Sequence, residues 1–190
     1  MKKIYSYLNN KKGAISILFV ILSLIAVIII SAFIDITTKM FSINEIQGVL
    51  DDAGVSALHM GVDDNYWRLE ELKINETQVL NNFYKMVNET IRAGGDSALV
   101  DFQVIAKIIP PNDARLKKLG IPKGQRDQYF LVSEAYARYK TYTFLDKLAM
   151  ANLNFFNFFE GRDDAIRYNG VTEDGNAEIV VRSVVRLVLR

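Results

Sequence analysis

The sequence predicts an α+β fold: a long amino-terminal transmembrane helix that continues into an extracytoplasmic antiparallel-sheet domain with one or two packed helices. Three observations carry that expectation. Residues 14–34 run without a single charge. Two later stretches, 35–61 and 76–93, place apolar residues at three- and four-residue steps, the spacing of one helical face. From residue 98 to 190 the pattern becomes mainly alternation with period two, the pattern of half-buried strands.

The first element is the uncharged run. Its twenty-one residues at a rise of ~1.5 Å each give ~31 Å, about the thickness of a bilayer's hydrocarbon core. Lys2, Lys3, Lys11 and Lys12 precede it with no acid among them, and Asp35 follows it. Positive charge on one flank assigns 1–13 to the cytoplasm as a basic leader, 14–34 to a single span, and 35–190 to the outside. A buried core helix rarely runs so far without a charge. A secretory signal has an apolar region of only ~7–15 residues and ends in a small-x-small cleavage pattern, which Ser31-Ala32-Phe33-Ile34-Asp35 does not provide. A permanent anchor in the cell membrane is the expectation, with the lipid bilayer as first partner.

Composition narrows the outer part. The chain has 23 basic and 22 acidic residues. Beyond the span the balance is 19 basic against 22 acidic, a net of about −3, so no basic excess points to nucleic acid. Cysteine is absent, which removes disulfides, thiol chemistry and cysteine-based metal sites. Residues 35–190 suffice for one domain with its own core.

The extension over 35–61 lacks proline and repeats Ile36, Met40, Ile43, Leu50 and Ala57 on one side. Ala53, Ala57 and Gly61 form a ridge of small residues that lets another backbone come close. The ridge either packs on this protein's own sheet, the favoured reading because burial of an amphipathic face drives helix docking in water, or meets a partner. Asp63, Asp64 and Asn65 with Tyr66-Trp67 then form a loop. Asn75 and Gln78 have capping-box spacing before the stripe Leu80, Phe83, Val87 and Ile91, and Gly94 and Gly95 end that helix. The same region holds Asn-x-Thr sequons at Asn75 and Asn88, meaningful only in a host that glycosylates asparagine.

Strands follow. Leu99–Ile109 alternates in part, Val100, Phe102, Val104 and Ala106 against Leu99, Asp101, Gln103 and Ile105, and stops at Pro110-Pro111. Residues 112–128 read as a polar loop. Residues 129–142 alternate around Leu131, Ser133, Ala135, Ala137 and Tyr139. Residues 144–160 stay open between a helix and an edge strand or aromatic loop, and the cluster Phe155-Phe156-Asn157-Phe158-Phe159 fits either a partner surface or the domain's own core. Asp174-Gly175 is a turn. Residues 177–190 set Ile179, Val181, Val185, Leu187 and Leu189 against Glu178, Arg182, Arg186 and Arg190.

The segment Lys12-Gly13-Ala14-Ile15-Ser16-Ile17-Leu18-Phe19-Val20 resembles the amino-terminal motif of the TadE/TadG-like proteins, pseudopilin-like components of the Tad (Flp) pilus and secretion machinery of the bacterial cell envelope. Gly13 and Phe19 stand at the family's spacing of six. Asp35, Gln47, Asp52-Ala53 and Ser56-Ala57-Leu58 match the TadG-like continuation, so the resemblance covers residues 11–61 and nothing beyond. It implies a structural or assembly component of a Tad-type system, with other pilus or secretion subunits as partners. It also makes Gly13-Ala14 the candidate prepilin-type processing site. Leu18 departs from the TadE-like pattern, which has glutamate there. In pilins that carboxylate pairs with a neighbouring subunit's amine within lipid; the TadG-like branch commonly lacks it. The alternative function is a membrane-anchored extracellular binding module unrelated to pili.

No constellation for catalysis is expected. His59 is the only histidine, and Asp51, Asp52, Asp63 and Asp64 near it lack calcium-loop spacing. Ser16, Ser23 and Ser31 lie inside the apolar run, where bonding back to the helix is their role. Gly-rich phosphate loops, His-Glu-x-x-His and Gly-x-Ser-x-Gly are absent. Arg182, Arg186 and Arg190 either meet an acidic partner or form a solvated strand face. The expectation is a non-enzymatic protein without metal or cofactor.

Overall fold

The computed structural model describes residues 11–62, 73–94, 98–140 and 165–188, and within them leaves the side chains of Lys11–Ile15, Ala32, Asp35, Ile36 and Lys39 undescribed. Helix α1 is Lys11–Met60 and α2 is Glu76–Gly94. Strand β1, Leu99–Ile109, is followed by the short helix α3, Ala114–Lys118, and a single 3-10 turn, Lys123–Gln125. Strands β2, Phe130–Tyr139, β3, Ile166–Val171, and β4, Ala177–Arg186, complete the order. The chain divides into two compact units, Met1–Lys39 and Met40–Arg190.

In the first unit every side chain over 16–31 is exposed. The large apolar ones from Ile17 to Ile30 present 41 to 71 % of their surface. Thr37 and Thr38, where the apolar run ends, donate their hydroxyls to the carbonyls of Phe33 and Ile34 at 2.7 and 2.9 Å. Bonding back to the preceding turn lets a polar side chain sit on a helix without an outside partner. Among the described residues no helix is long and apolar enough to cross a membrane.

The second unit is α+β, with one antiparallel sheet of order β1-β2-β4-β3. Period-two burial sorts its faces. Leu131, Ser133, Ala135, Ala137 and Tyr139 of β2 point inward with Ile179, Val181, Ser183 and Val185 of β4. Against them lie Ile43, Ile46, Leu50, Ala53, Ala57 and Leu58 of α1 and Val79, Phe83 and Val87 of α2. The ridge expected as a packing or docking feature is therefore spent inside the domain: Ala53 and Ala57 are buried in this core and Gly61 is buried beside it. Small residues face each other where α1 crosses the sheet; a Cβ on Gly54 would sit 3.0 Å from Val185 Cγ2. Close packing of this kind leaves little slack for added volume.

Three sequence expectations need correction. The capping box at α2 is only half made. Asn75 Oδ1 accepts from the Gln78 amide at 3.1 Å, but the Gln78 side chain donates instead to the Met60 carbonyl at 3.2 Å, tying α2 to the end of α1. In β1, a register shift between Leu99 and Asp101 turns Val100 outward, because an extra residue in one strand flips the alternation. The region 112–128 is more than a polar loop. Asp113 caps α3, accepting from the Arg115 amide at 2.8 Å. Gly120, at φ +73°, closes α3 with Gly120 N donating to Lys117 O and Ile121 N to Leu116 O. That pair of bonds is a Schellman ending, which favours glycine for its left-handed conformation. Leu116 and Ile121 then pack with Ile109 and Phe130 in a second small core.

Arg115 also grips the Asp113 carboxylate side-on at 2.6 and 2.9 Å. That hydrogen bond, joined by the backbone one, holds the Asp113 carboxyl down to about 2. A carboxyl depressed in the folded state stabilises above its unfolded value, 3.8, and loses that contribution as pH falls through about 2. The α3 amides are expected to keep their protection from pH 5 down to about 3 and lose it near 2, followed by NMR-detected exchange; an Asp113 carboxyl titrating near 4 would contradict this.

The outer face of the sheet carries charges in rows. Arg138 bonds Glu178 at 3.1 Å and Asp101 at 3.3 Å, and Asn169 donates to Glu178 at 2.6 Å, so one row crosses all four strands. Asn169 first, and Arg138 second, hold the Glu178 carboxyl below its usual range. At the β1 rim, the Ala106 amide donates to the Tyr84 hydroxyl at 2.9 Å, so α2 covers the middle of that edge. Hairpin β3–β4 turns at Gly175, φ +82°, as the Asp174-Gly175 pair predicts. Residues 63–65, 66–67, 144–160, Leu189 and Arg190 lie outside the described residues.

Candidate functional site: the polar seam beside strand β4

Polar side chains interrupt the apolar interface between α1 and the sheet at one place. Asp51 and Gln47 stand one turn apart on α1, and Ser183 of β4 donates its hydroxyl to Asp51 Oδ1. Ser133, paired in register with Ser183, is completely buried. Among the described residues, its Oγ and the Gln47 Oε1 are buried without a hydrogen-bond partner. A buried polar atom left unmatched costs roughly 1–3 kcal/mol, so such atoms in one seam mark a place where packing alone did not set the residues. Further along the same helix, Ser42 shares a hydrogen bond of 2.9 Å with the Tyr139 hydroxyl.

The seam opens into a concavity of about 480 Å³. Gln47 and Asp51 line its helix side, and Lys118 and Gly120 at the end of α3 line the opposite side. Its floor is the margin of β4 at Arg182, Ser183 and Val184. Arg182 is already committed, reaching Glu134 Oε1 with Nη2 at 2.6 Å and Nε at 2.9 Å. Lys118 makes no ion pair among the described residues.

What this arrangement offers is hydrogen-bond acceptance, with Asp51 holding the Ser183 hydroxyl. His59, the one imidazole, is exposed and eight positions beyond Asp51, about 12 Å along the helix. Among the described residues no group of three or more His, Cys, Asp or Glu could hold a metal ion. Asp51 ties α1 to β4 through the Ser183 hydroxyl. Asp63 and Asp64 lie outside the described residues, as do Phe155-Phe156-Asn157-Phe158-Phe159.

Gly13 and Ala14 are helical in backbone, with side chains not described, and Leu18 is exposed. Ala53, Ala57 and Gly61 belong to the core rather than to this seam. Of the arginines read as one strand face, Arg182 pairs with Glu134 and Arg186 is exposed. Sequence reasoning missed Gln47 and Ser183 as partners in one seam. Ser183 did carry a signal, a polar residue at an inward position of an otherwise apolar alternation. No family model, curated protein or solved structure matches this chain.

Proposed function

We propose that the chain is a non-enzymatic component of a Tad-type pilus or secretion system, held in the cell membrane by 14–34 with its α+β domain outside. The observation that carries the anchoring is the exposed apolar surface over 16–31, which has large hydrophobic residues on every side of the helix. A helix apolar all round belongs in a protein core or in lipid, and among the described residues this stretch is exposed throughout. The sequence remains uncharged through 14–34, long enough to span, and the four preceding lysines set the orientation. The assembly role rests on the TadE/TadG-like pattern between Gly13 and Leu58. That reading makes the folded domain a packing and recognition unit rather than a catalyst, in keeping with a seam that offers acceptors but no activated nucleophile.

Protease added to intact cells, after wall removal where the wall is thick, is expected to digest the carboxy-terminal domain. Complete protection in cells with verified intact membranes overturns the orientation. Intact-mass analysis of the same preparation addresses processing. With Leu18 in place of the carboxylate, most molecules are expected to retain 1–13; a dominant species beginning at Ala14 would instead make the chain a filament subunit. Genes for a secretion ATPase, polytopic platform proteins and a prepilin peptidase beside this one favour the pilus role. Their absence favours the anchored binding module.

A further inference from the structure

We infer that the outward face of α1 between Phe41 and His59 is a docking surface for a basic amphipathic helix of a partner protein, which lies along α1 with a small residue against Gly48. The inference does not depend on the membrane reading.

This part of α1 has two unlike faces. Ile43, Ile46, Leu50, Ala53 and Ala57 are buried in the domain's core. On the opposite side Phe41, Gly48 and Val55 recur at seven-residue steps, with Glu45, Asp52 and His59 in a second column beside them, and all six are exposed. Seven residues return a side chain to nearly the same side of a helix, ~10 Å further along. Phe41 presents 70 % of its surface and Val55 42 %. Gly48 is the informative residue. Within a helix, glycine loses more backbone freedom than alanine, so it weakens the helix unless something needs the missing side chain. Among the described residues, a Cβ on Gly48 would meet nothing within 4 Å. Nothing in them calls for a glycine there, whereas a Cβ on Gly54 or Gly61 would press on Val185 or Val79. A bare helix surface with an aromatic residue on one side and a β-branched one on the other lets a second helix come close and bury both.

The second column states the chemistry of the occupant. Glu45 and Asp52 are one seven-residue step apart. Among the described residues neither side chain has an ion-pair or hydrogen-bond partner. Two carboxylates beside an apolar column select lysine or arginine on the facing helix. A second copy of this chain fits poorly. Packed parallel, it sets Glu45 against Glu45 and Asp52 against Asp52. Packed antiparallel about Gly48, it sets Glu45 against Asp52, so like charges meet either way. The occupant is therefore a different protein. It has alanine, serine or glycine opposite Gly48, larger apolar residues opposite Phe41 and Val55, and cations between them.

The test uses the full chain in neutral detergent micelles and three blocked alanine-based helical peptides. The first has a leucine seven positions to each side of its central alanine and lysine pairs between them. The second carries glutamate in place of every lysine, and the third carries leucine in place of the central alanine. Saturable binding of the first is expected, with NMR shift changes concentrated over 41–59. The second and third are expected to bind at least about tenfold more weakly, as the loss of a charge-assisted contact or of close packing implies. Gly48→Ala is expected to weaken the first peptide while raising the melting temperature of the chain, because the added methyl group favours the helix and meets nothing. Glu45→Lys and Asp52→Lys together are expected to reverse the order of the first two peptides. Four results overturn the inference: no saturable binding of the first peptide, equal binding of the lysine and glutamate peptides, a lower melting temperature for Gly48→Ala, or a wild-type dimer that Gly48→Leu abolishes. The third would mean that this chain covers the face itself, and the fourth that a second copy does. The wild-type comparison of the peptides decides the matter even where a variant fails to fold.

Discussion

Replacing Ile21, Leu24 and Val27 together by arginine is expected to move the chain from the membrane fraction to the soluble or degraded fraction. The fifteen Ile, Leu, Phe and Val residues of 14–34 each favour insertion by ~0.3–0.6 kcal/mol, or about 5–9 kcal/mol together. Three arginines near the centre cost about 7–10 kcal/mol on the same scale, so the balance reverses. All three positions are exposed and touch no core, which separates this effect from misfolding. The domain from residue 40 onward is expected to keep its near-ultraviolet circular dichroism. Full retention in the carbonate-washed membrane fraction would show that the helix is not the anchor.

The second large effect is expected at Gly61. A methyl group there would stand 2.1 Å from Val79 Cγ2, far inside contact distance. Val79 is completely buried and β-branched, so its side chain has few other places to go. Gly61→Ala is expected to destabilise the domain by ~1–3 kcal/mol, a fall in melting temperature of roughly 2–12 °C for a domain of this size. Val79→Ala clears the space at the expense of a cavity. The double variant is therefore expected to be more stable than the sum of the two single changes, with a coupling of ~0.5–3 kcal/mol, the range for residues in contact. Strict additivity would mean that α1 and α2 do not meet there in solution.

How far the sequence can be read differs from element to element. β2 and β4 were legible because one face is core and the other water, and the period-two pattern has no exceptions from Leu131 to Tyr139. The outer part of α1 was legible for the same reason at period 3.6. α3 was written plainly in Asp113, Leu116, Gly120 and Ile121, a cap, a core contact and a left-handed stop. It read as loop because five residues are too few to show a period and three of them are basic. β3 is six residues with an Asn-Gly inside, and most of its stability comes from pairing with β4 rather than from its own composition. The seam could not be read at all: Asp51 and Ser183 stand 132 positions apart, and only the register of the sheet brings them together.

The tyrosine at the β1 rim bears on stoichiometry. Endless ribbons form when every copy can both offer an edge and receive one, since each addition then recreates the site that was filled. Here β1 is interrupted at its midpoint by the Tyr84 hydroxyl on Ala106, so this rim cannot take a strand along its whole length and does not serve as the repeating half of such a ribbon.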